Sequence, residues 1–311
     1  MAERLRTLEL ADGRTLAYAT WGDPDGFPVL SLHGTPGCRF SRWPNEDVYA
    51  AAGAYWVTHD RAGYGQSSRH HGRNVADEAA DVAALADELG FDRFGVSGGS
   101  GGGPHVLACA ALLPERVVRA VCIVGVAPFG DSGLSKDDWL AGMDPENVKE
   151  FEWALAGEDV FTPEIEKLQK LFEERVAVDP STALDDYDLS ESDRAQLARP
   201  EAIQVMRETA LEEAANGVGG WVDDGLAFTQ PWGFDVSEVS VPVLVRYGLT
   251  DVLVPAAHGK WLASNVPGCI VEIEDEGGHM GTDPEQQIAS DVRWLSEGVP
   301  PEAAHAPPQT V

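Results

Sequence analysis

The sequence predicts an α/β protein: a mostly parallel central sheet flanked by helices, with an all-helical segment inserted into it. Three observations lead there. Short β-rich runs alternate with helix-period segments over the first 130 residues. The run "VVRAVCIVGV" (117–126) is apolar apart from Arg119 and shows no alternation, as expected of a strand buried on both faces. Strand rhythm then stops between about 131 and 230 before it returns. The expected division is a core of 1–130 and 231–300, a helical cap insertion of 131–230, and a flexible Pro/Ala-rich tail of 301–311.

Taken in order, Leu8 to Leu10 and Thr15 to Thr20 flank Asp12-Gly13, a hairpin signal. "PVLSL" (28–32) and "AYWVTHD" (54–60) read as buried strands. Residues 74–89 carry Val75, Val82, Leu85 and Leu89 near helical spacing, ended by Gly90. A strand over 91–96, a helix over 104–113 and the strand at 117–126 follow. Inside the insertion, Val148, Phe151 and Leu155 share one helix face, as do Ile165, Leu168, Phe172 and Val176 behind a Thr162-Pro163 start; Ile203, Met206 and Ala210 mark a third helix. "VPVLVRYG" (241–248) and "CIVEIED" (269–275) restore the strands, and a last helix is expected near 285–295.

Composition narrows the function. The 311 residues, 43% hydrophobic with nine tryptophans, describe a packed globule. A formal charge of -30, from 52 acidic residues against 22 basic, opposes binding to phosphate backbones and anionic lipid headgroups. Cys38, Cys109, Cys122 and Cys269 have no metal-ligand spacing and are expected as buried, reduced thiols. The charged start "MAERLRTLEL" does not resemble a secretory signal. Together these readings lead to the expectation of a cytoplasmic protein; a small-molecule substrate and a monomer or homodimer are expected beside it, without support from composition. No metal, nucleotide or flavin pattern is visible, so no cofactor is expected.

Chemistry concentrates in "GVSGGSGGGP" (95–104), where G-x-S-x-G occurs twice. A nucleophile on a sharp strand-to-helix elbow needs glycine two positions to either side. Both serines satisfy this. With Ser97 at the elbow the strand would be too short and a glycine run would precede any helix. With Ser100 there, the strand runs through Gly98 and Pro104 falls in the first helical turn. Ser100 is therefore favoured and Ser97 is the alternative. A plain glycine loop or phosphate cradle is the other reading, although no Walker lysine is nearby.

A serine hydroxyl needs a base, and the base must be oriented. His279 in "EDEGGHMG" follows the last strand, and Asp251 in "YGLTDVLVP" follows the strand before it, in the chain order Ser, Asp, His; Asp131 is the rival acid. "LSLHGTPG" (30–37) places a rigid loop after a buried strand. There the Thr35 amide, with that of Gly101, is the expected oxyanion-hole pair, and His33 is a support for the loop.

These motifs, "HGTPG", "HDRAGYGQS", "GGSGG", "YGLTDVLVP" and "GGHMG", resemble in order those of the α/β-hydrolase superfamily over about residues 5 to 298. The resemblance implies a helical cap over the site and a serine hydrolase cleaving a small, largely apolar carboxylic ester through an acyl-enzyme. "HGTP" also matches the loop of epoxide hydrolases, but those carry aspartate at the elbow. "GGSGG" is similar to the "GGSWGS" of proline iminopeptidases with Gly101 in place of tryptophan. That likeness implies an aminopeptidase alternative, with Glu152, Glu208 or Asp224 pairing with a substrate amine. Carbon-carbon bond hydrolysis, or other chemistry on the same triad, is the remaining alternative. Trp221, Phe228 and Trp232 are the expected pocket residues, with Phe151 and Trp153 as further candidates.

Overall fold

The computed structural model describes residues 5–307. The hairpin signalled by Asp12-Gly13 joins β1 (Leu5–Glu9) to β2 (Thr15–Gly22), with Leu8 opposite Leu16. β3 (Phe27–Leu32), α1 (Asp47–Ala51), β4 (Ala54–His59), α2 (Glu78–Glu88), β5 (Phe94–Gly99), α3 (Gly102–Leu112) and β6 (Val117–Ile123) follow. Between β6 and the next strand the described residues form no strand. They fold as α4 (Lys136–Leu140), α5 (Pro145–Ala156), α6 (Glu158–Val178), α7 (Glu191–Leu197), α8 (Pro200–Thr209) and α9 (Gly219–Phe228). The chain closes with β7 (Val243–Gly248), α10 (Ala256–Asn265), β8 (Ile270–Glu274) and α11 (Pro284–Glu297).

The eight strands form one sheet in the order β1-β2-β4-β3-β5-β6-β7-β8. β2 pairs antiparallel with both neighbours, and every pairing from β4 to β8 is parallel. Parallel neighbours need crossovers, and α2, α3, α10 and the whole insertion serve as them. Because side chains alternate along a strand, β6 and β7 feed two cores. Ala120, Cys122, Val243 and Val245 pack on the side of α2, α3 and α10, whereas Val121 and Leu244 pack with Tyr49 of α1 and Val292 and Leu295 of α11. Each fully buried branched side chain contributes about 1.5–3 kcal/mol, so this double covering explains why β6 reads as apolar sequence apart from Arg119, whose guanidinium donates to the Leu295 and Ser296 carbonyls. All four cysteines are buried and unpaired.

Two expectations are corrected. The helix expected to start at Thr162-Pro163 is α6, which begins at Glu158, directly after Gly157 at φ 104. Pro163 lies inside α6, where its missing N–H costs one intrahelical bond and does not cap the helix. The tail is not loose from 301: His305 exchanges two backbone hydrogen bonds with Val271 of β8, at 2.7 and 2.8 Å, so the chain adds a bridge to the sheet edge. Residues 308–311 of the expected tail lie outside the described residues.

Candidate active site

Ser100 stands between β5 and α3, at φ 55, one of two non-glycine residues among those described with positive φ. That conformation crowds Cβ against backbone and costs of order 1–3 kcal/mol, so the surroundings must impose it. They do so by close approach. A Cβ on Gly98 would lie 2.9 Å from the Leu32 carbonyl oxygen, and one on Gly102 would overlap the same carbonyl. The Ser100 amide donates to the Ile123 carbonyl of β6 at 2.8 Å, and its own carbonyl accepts from Gly103 at 2.9 Å. Ser97, the alternative, is a buried strand residue of β5, in register with Ser31 and Val121.

His279 lies in the loop after β8 and Asp251 in the loop after β7. The His279 Nδ1 to Asp251 Oδ2 distance is 2.8 Å, while Asp251 Oδ1 accepts from the amides of Leu253 and Val254 at 2.8 and 2.9 Å. With Nδ1–H donating to a carboxylate, Nε2 carries the lone pair. Burial disfavours the imidazolium, but the charge and hydrogen bond of Asp251 and the charge of Asp193 outweigh it, so the His279 pKa stands above its ordinary value. Ser100 and His279 line one cavity. Asp131 is exposed in a short turn after β6 and is not part of that cavity.

The "HGTPG" loop leaves β3 and passes beside the elbow. A Cβ on Gly34 would lie 3.9 Å from Ser100 Oγ, and one on Gly101 would overlap the Thr35 side chain and lie 3.1 Å from the Thr35 nitrogen. Gly101 is the residue before α3, where helix geometry leaves amides without intrahelical acceptors. His33 is buried, with Nδ1 2.7 Å from the Gly34 carbonyl and Nε2 accepting from the Arg61 amide at 3.1 Å. Burial and the Arg61 charge hold it well below the usual histidine range, which fits a loop support.

Beneath this loop lies a buried ionic network. Asp224 of α9 accepts from Thr35 Oγ1 at 2.6 Å, Tyr64 Oη at 2.8 Å and Arg61 at 2.5 Å, and pairs with Arg73 at 2.6 Å. Burial opposes its charge, yet Arg61 and Arg73 hold the carboxyl well below its ordinary range. Asp224 is thus already compensated and is not a free anion awaiting an amine. The other two acids expected in that role are also placed elsewhere: Glu208 pairs with Arg42 at 3.2 Å, and Glu152 is exposed, 3.9 Å from Lys136.

The cavity encloses about 560 Å³ and is walled by the elbow, the Thr35 loop, His279 and the insertion. Trp221, Phe228 and Phe151 line it as expected from sequence. Trp153 and Trp232 do not. Trp153 packs against the cluster formed by Phe161, Ile165 and Tyr64, and Trp232 is buried in the main core beside Phe234. An indole can serve either surface, so residue type alone does not decide. Among the lining residues that the sequence did not single out are two buried acids. Glu150 accepts from Trp221 Nε1 at 2.7 Å and is pushed by burial to about 7. Glu213, pushed by burial to about 8, has one oxygen, Oε1, without a hydrogen-bond partner among the described residues. Acids are abundant throughout this chain, so nothing local marked these two. Among the described residues no group of three or more His, Cys, Asp or Glu is arranged to hold a metal ion, and no helix is long and apolar enough to cross a membrane.

An eight-stranded, mostly parallel sheet with a strained serine at the β5–α3 turn and helices inserted after β6 is the alpha/beta hydrolase fold. The model of that family matches residues 28–285, and the chain belongs to it. At the level of individual relatives, the chain is 30% identical over 258 residues to a non-heme chloroperoxidase of Streptomyces lividans, covering 81% of this chain and 84% of that protein. It is 24% identical over 298 residues to a proline iminopeptidase of Neisseria meningitidis, covering 89% and 90%. Among solved structures it resembles an alpha/beta hydrolase fold protein from Chitinophaga pinensis (TM-score 0.69, 19% identity, 94% and 97% covered). A thermophilic esterase from Thermogutta terrifontis is similar in fold (TM-score 0.64, 20% identity, 94% and 98% covered).

Proposed function

We propose that this protein is a serine hydrolase that cleaves a small, largely apolar carboxylic ester through an acyl-enzyme. The observation that carries the proposal is Ser100 at φ 55 in the wall of the cavity that also contains His279, whose imidazole is bonded to Asp251. Ser100 Oγ attacks the ester carbonyl as His279 Nε2 takes its proton, and Asp251 holds the tautomer and steadies the imidazolium. The amides of Thr35 and Gly101 donate to the developing oxyanion, an interaction worth about 2.7–4 kcal/mol per donor in the transition state. His279 returns the proton to the leaving alkoxide, and water then repeats the cycle to free the acid. Leu168, Leu171, Phe172, Val205 and Met206 in the inserted helices, with Leu184 in the turn between α6 and α7, give the cavity an apolar wall, which supports an apolar acyl or alcohol group. In this reading the insertion acts as a cap.

Glu150 and Glu213 support a second reading, an aminopeptidase. Two buried carboxyls without a cationic partner, facing the cavity, are the environment that a substrate ammonium would complete. The similarity to a proline iminopeptidase points the same way. One panel separates the two: nitrophenyl esters of graded chain length beside aminoacyl anilides, with wild type, Ser100→Ala and Glu213→Gln. Ester turnover lost in Ser100→Ala and retained in Glu213→Gln upholds the esterase. Dominant anilide cleavage, lost in Glu213→Gln, replaces it with the aminopeptidase. Ester turnover that survives Ser100→Ala removes both.

A further inference from the structure

We propose that Asp193, carried by the inserted helix α7, is a positioning residue that sets the alignment of His279 from outside the hydrolase core. The proposal rests on the hydrolase reading above and adds to it a physical link between insertion and imidazole.

The geometry is specific. Asp193 is fully buried, and its carboxylate reaches across to the loop after β8. Oδ2 accepts from the His279 amide at 3.0 Å and Oδ1 from the Met280 amide at 2.7 Å. Two consecutive amides converging on one carboxylate form an anion-binding nest, which fixes the peptide planes on both sides of the His279 Cα. The Ser190 hydroxyl donates to Oδ2 at 2.9 Å and also accepts from the Asp193 amide at 3.1 Å, so the carboxylate is itself held. Gly278 shows how close the approach is: a Cβ there would overlap both the Asp193 carboxylate and Ser190 Oγ.

The same helix makes a second tie. Gln196 Nε2 donates to the Thr282 carbonyl at 2.6 Å, so the chain from His279 to Thr282 is fastened to α7 at two points. On the core side, the loop is held by Thr250, whose amide donates to the Gly277 carbonyl at 3.1 Å, next to Asp251. His279 is therefore stretched between core and insertion. Gln196 and Leu197 also line the cavity, so a substrate filling that end packs on the helix that aligns the imidazole. The charged groups facing the imidazole are Asp251 from the loop after β7 and Asp193 from α7.

Asp193→Asn tests this, since it keeps size but replaces one acceptor by a donor and removes the charge. Two readouts are needed. The first is the titration of the His279 imidazole followed by NMR at its ε1 position, assigned by loss of the signal in His279→Gln. Its midpoint is expected to fall by about one pH unit, because a neighbouring negative charge that favours imidazolium is gone. The second is ester hydrolysis, in which kcat is expected to fall about 100-fold with KM changed by less than about threefold, the signature of misplacement and not of lost binding. A midpoint and a kcat unchanged from wild type overturn the proposal and leave the hydrolase reading standing. If wild type hydrolyses no ester, that reading falls, and the imidazole titration still decides the role of Asp193. Should Asp193→Asn fail to fold, Ser190→Ala removes the hydroxyl bond to Oδ2 together with the N-cap bond from the Asp193 amide, and leaves the carboxylate in place. A midpoint displaced in either direction, as the loosened carboxylate shifts against the His279 loop, then supports the proposal, and an unmoved midpoint overturns it.

Discussion

Glu213→Gln offers a test of the cavity's electrostatics that needs no substrate. Burial is the main cause of the raised Glu213 pKa, with the nearby Glu173 charge adding to it and a Gln169 hydrogen bond opposing it. The side chain is pushed from an ordinary 4.5 to about 8 in the folded protein. Below pH 4.5 both folded and unfolded chains hold the proton, and the group contributes nothing to the pH dependence. Between these values the unfolded chain releases the proton and the native one keeps it, so stability falls as pH rises. Above the folded value the loss is complete. At 1.36 kcal/mol per tenfold it reaches on the order of 5 kcal/mol, an upper bound that water entering the cavity would reduce. Glutamine keeps the shape and cannot ionise. Urea unfolding of wild type and Glu213→Gln from pH 4.5 to 9 should therefore give curves that nearly coincide at the acid end. The variant should become the more stable by several kcal/mol at the alkaline end. The general self-repulsion of a chain with formal charge -30 acts on both and cancels in the difference. A difference that stays constant with pH would refute the reasoning, because it would mean that the charged carboxylate is as well solvated in the fold as outside it.

Other outcomes follow from the same geometry. Ser100→Ala should remove at least about 10⁴-fold of ester turnover, whereas Ser97→Ala, a buried strand position, should change kcat less than about threefold and be read mainly in the melting temperature. Gly101→Ala forces a methyl against the Thr35 side chain and should lower kcat about 100-fold with intact circular dichroism; full activity would remove these two amides from the proposed oxyanion hole. Because His279 must be neutral to accept a proton and its pKa is raised, kcat/KM should climb with pH through a midpoint above 6.5, and Asp251→Asn should move that midpoint down. Phe172→Ala, which enlarges the apolar cavity wall, should shift the best ester toward longer or bulkier acyl groups, measured as the ratio of kcat/KM values across the panel.

What the sequence revealed, and what it hid, divides along the reach of the interactions involved. The sheet was legible because strand burial on two faces and the elbow's glycines are local constraints. "VVRAVCIVGV" is apolar apart from Arg119 because β6 is covered on both faces, and Gly98 and Gly102 must be glycine because the Leu32 carbonyl leaves no room. The placement of Ser100 at the turn follows from register alone. By contrast, short helices such as α1, α4 and α7 carry too few turns to show a period, and their existence depends on caps and neighbours. Trp232 is expected in the pocket because its segment leads back to the sheet, and Trp153 as an aromatic on an insertion helix, yet indoles suit cores equally, and both pack in clusters away from the cavity.

Asp224 and Asp193 carry the argument furthest. In sequence both are acids among 52. In the fold one lies within 2.6 Å of the Thr35 hydroxyl, 189 residues away, and the other within 3.0 Å of the His279 amide, 86 residues away. Both come from the insertion and both end on loops of the candidate site. A lid that only excluded water would need apolar contacts with the core and no buried carboxylates, since burying a charge costs several kcal/mol unless it is paired. Here Asp224 is paired with Arg61 and Arg73 and also holds the Thr35 hydroxyl, and Asp193 is satisfied by the His279 and Met280 amides and the Ser190 hydroxyl, so each ends on a loop that carries a proposed catalytic group. On the proposed mechanism the insertion shapes the reaction as well as the pocket, and exchanging it for another helical segment of equal volume should cost kcat even where the new cavity still binds the ester.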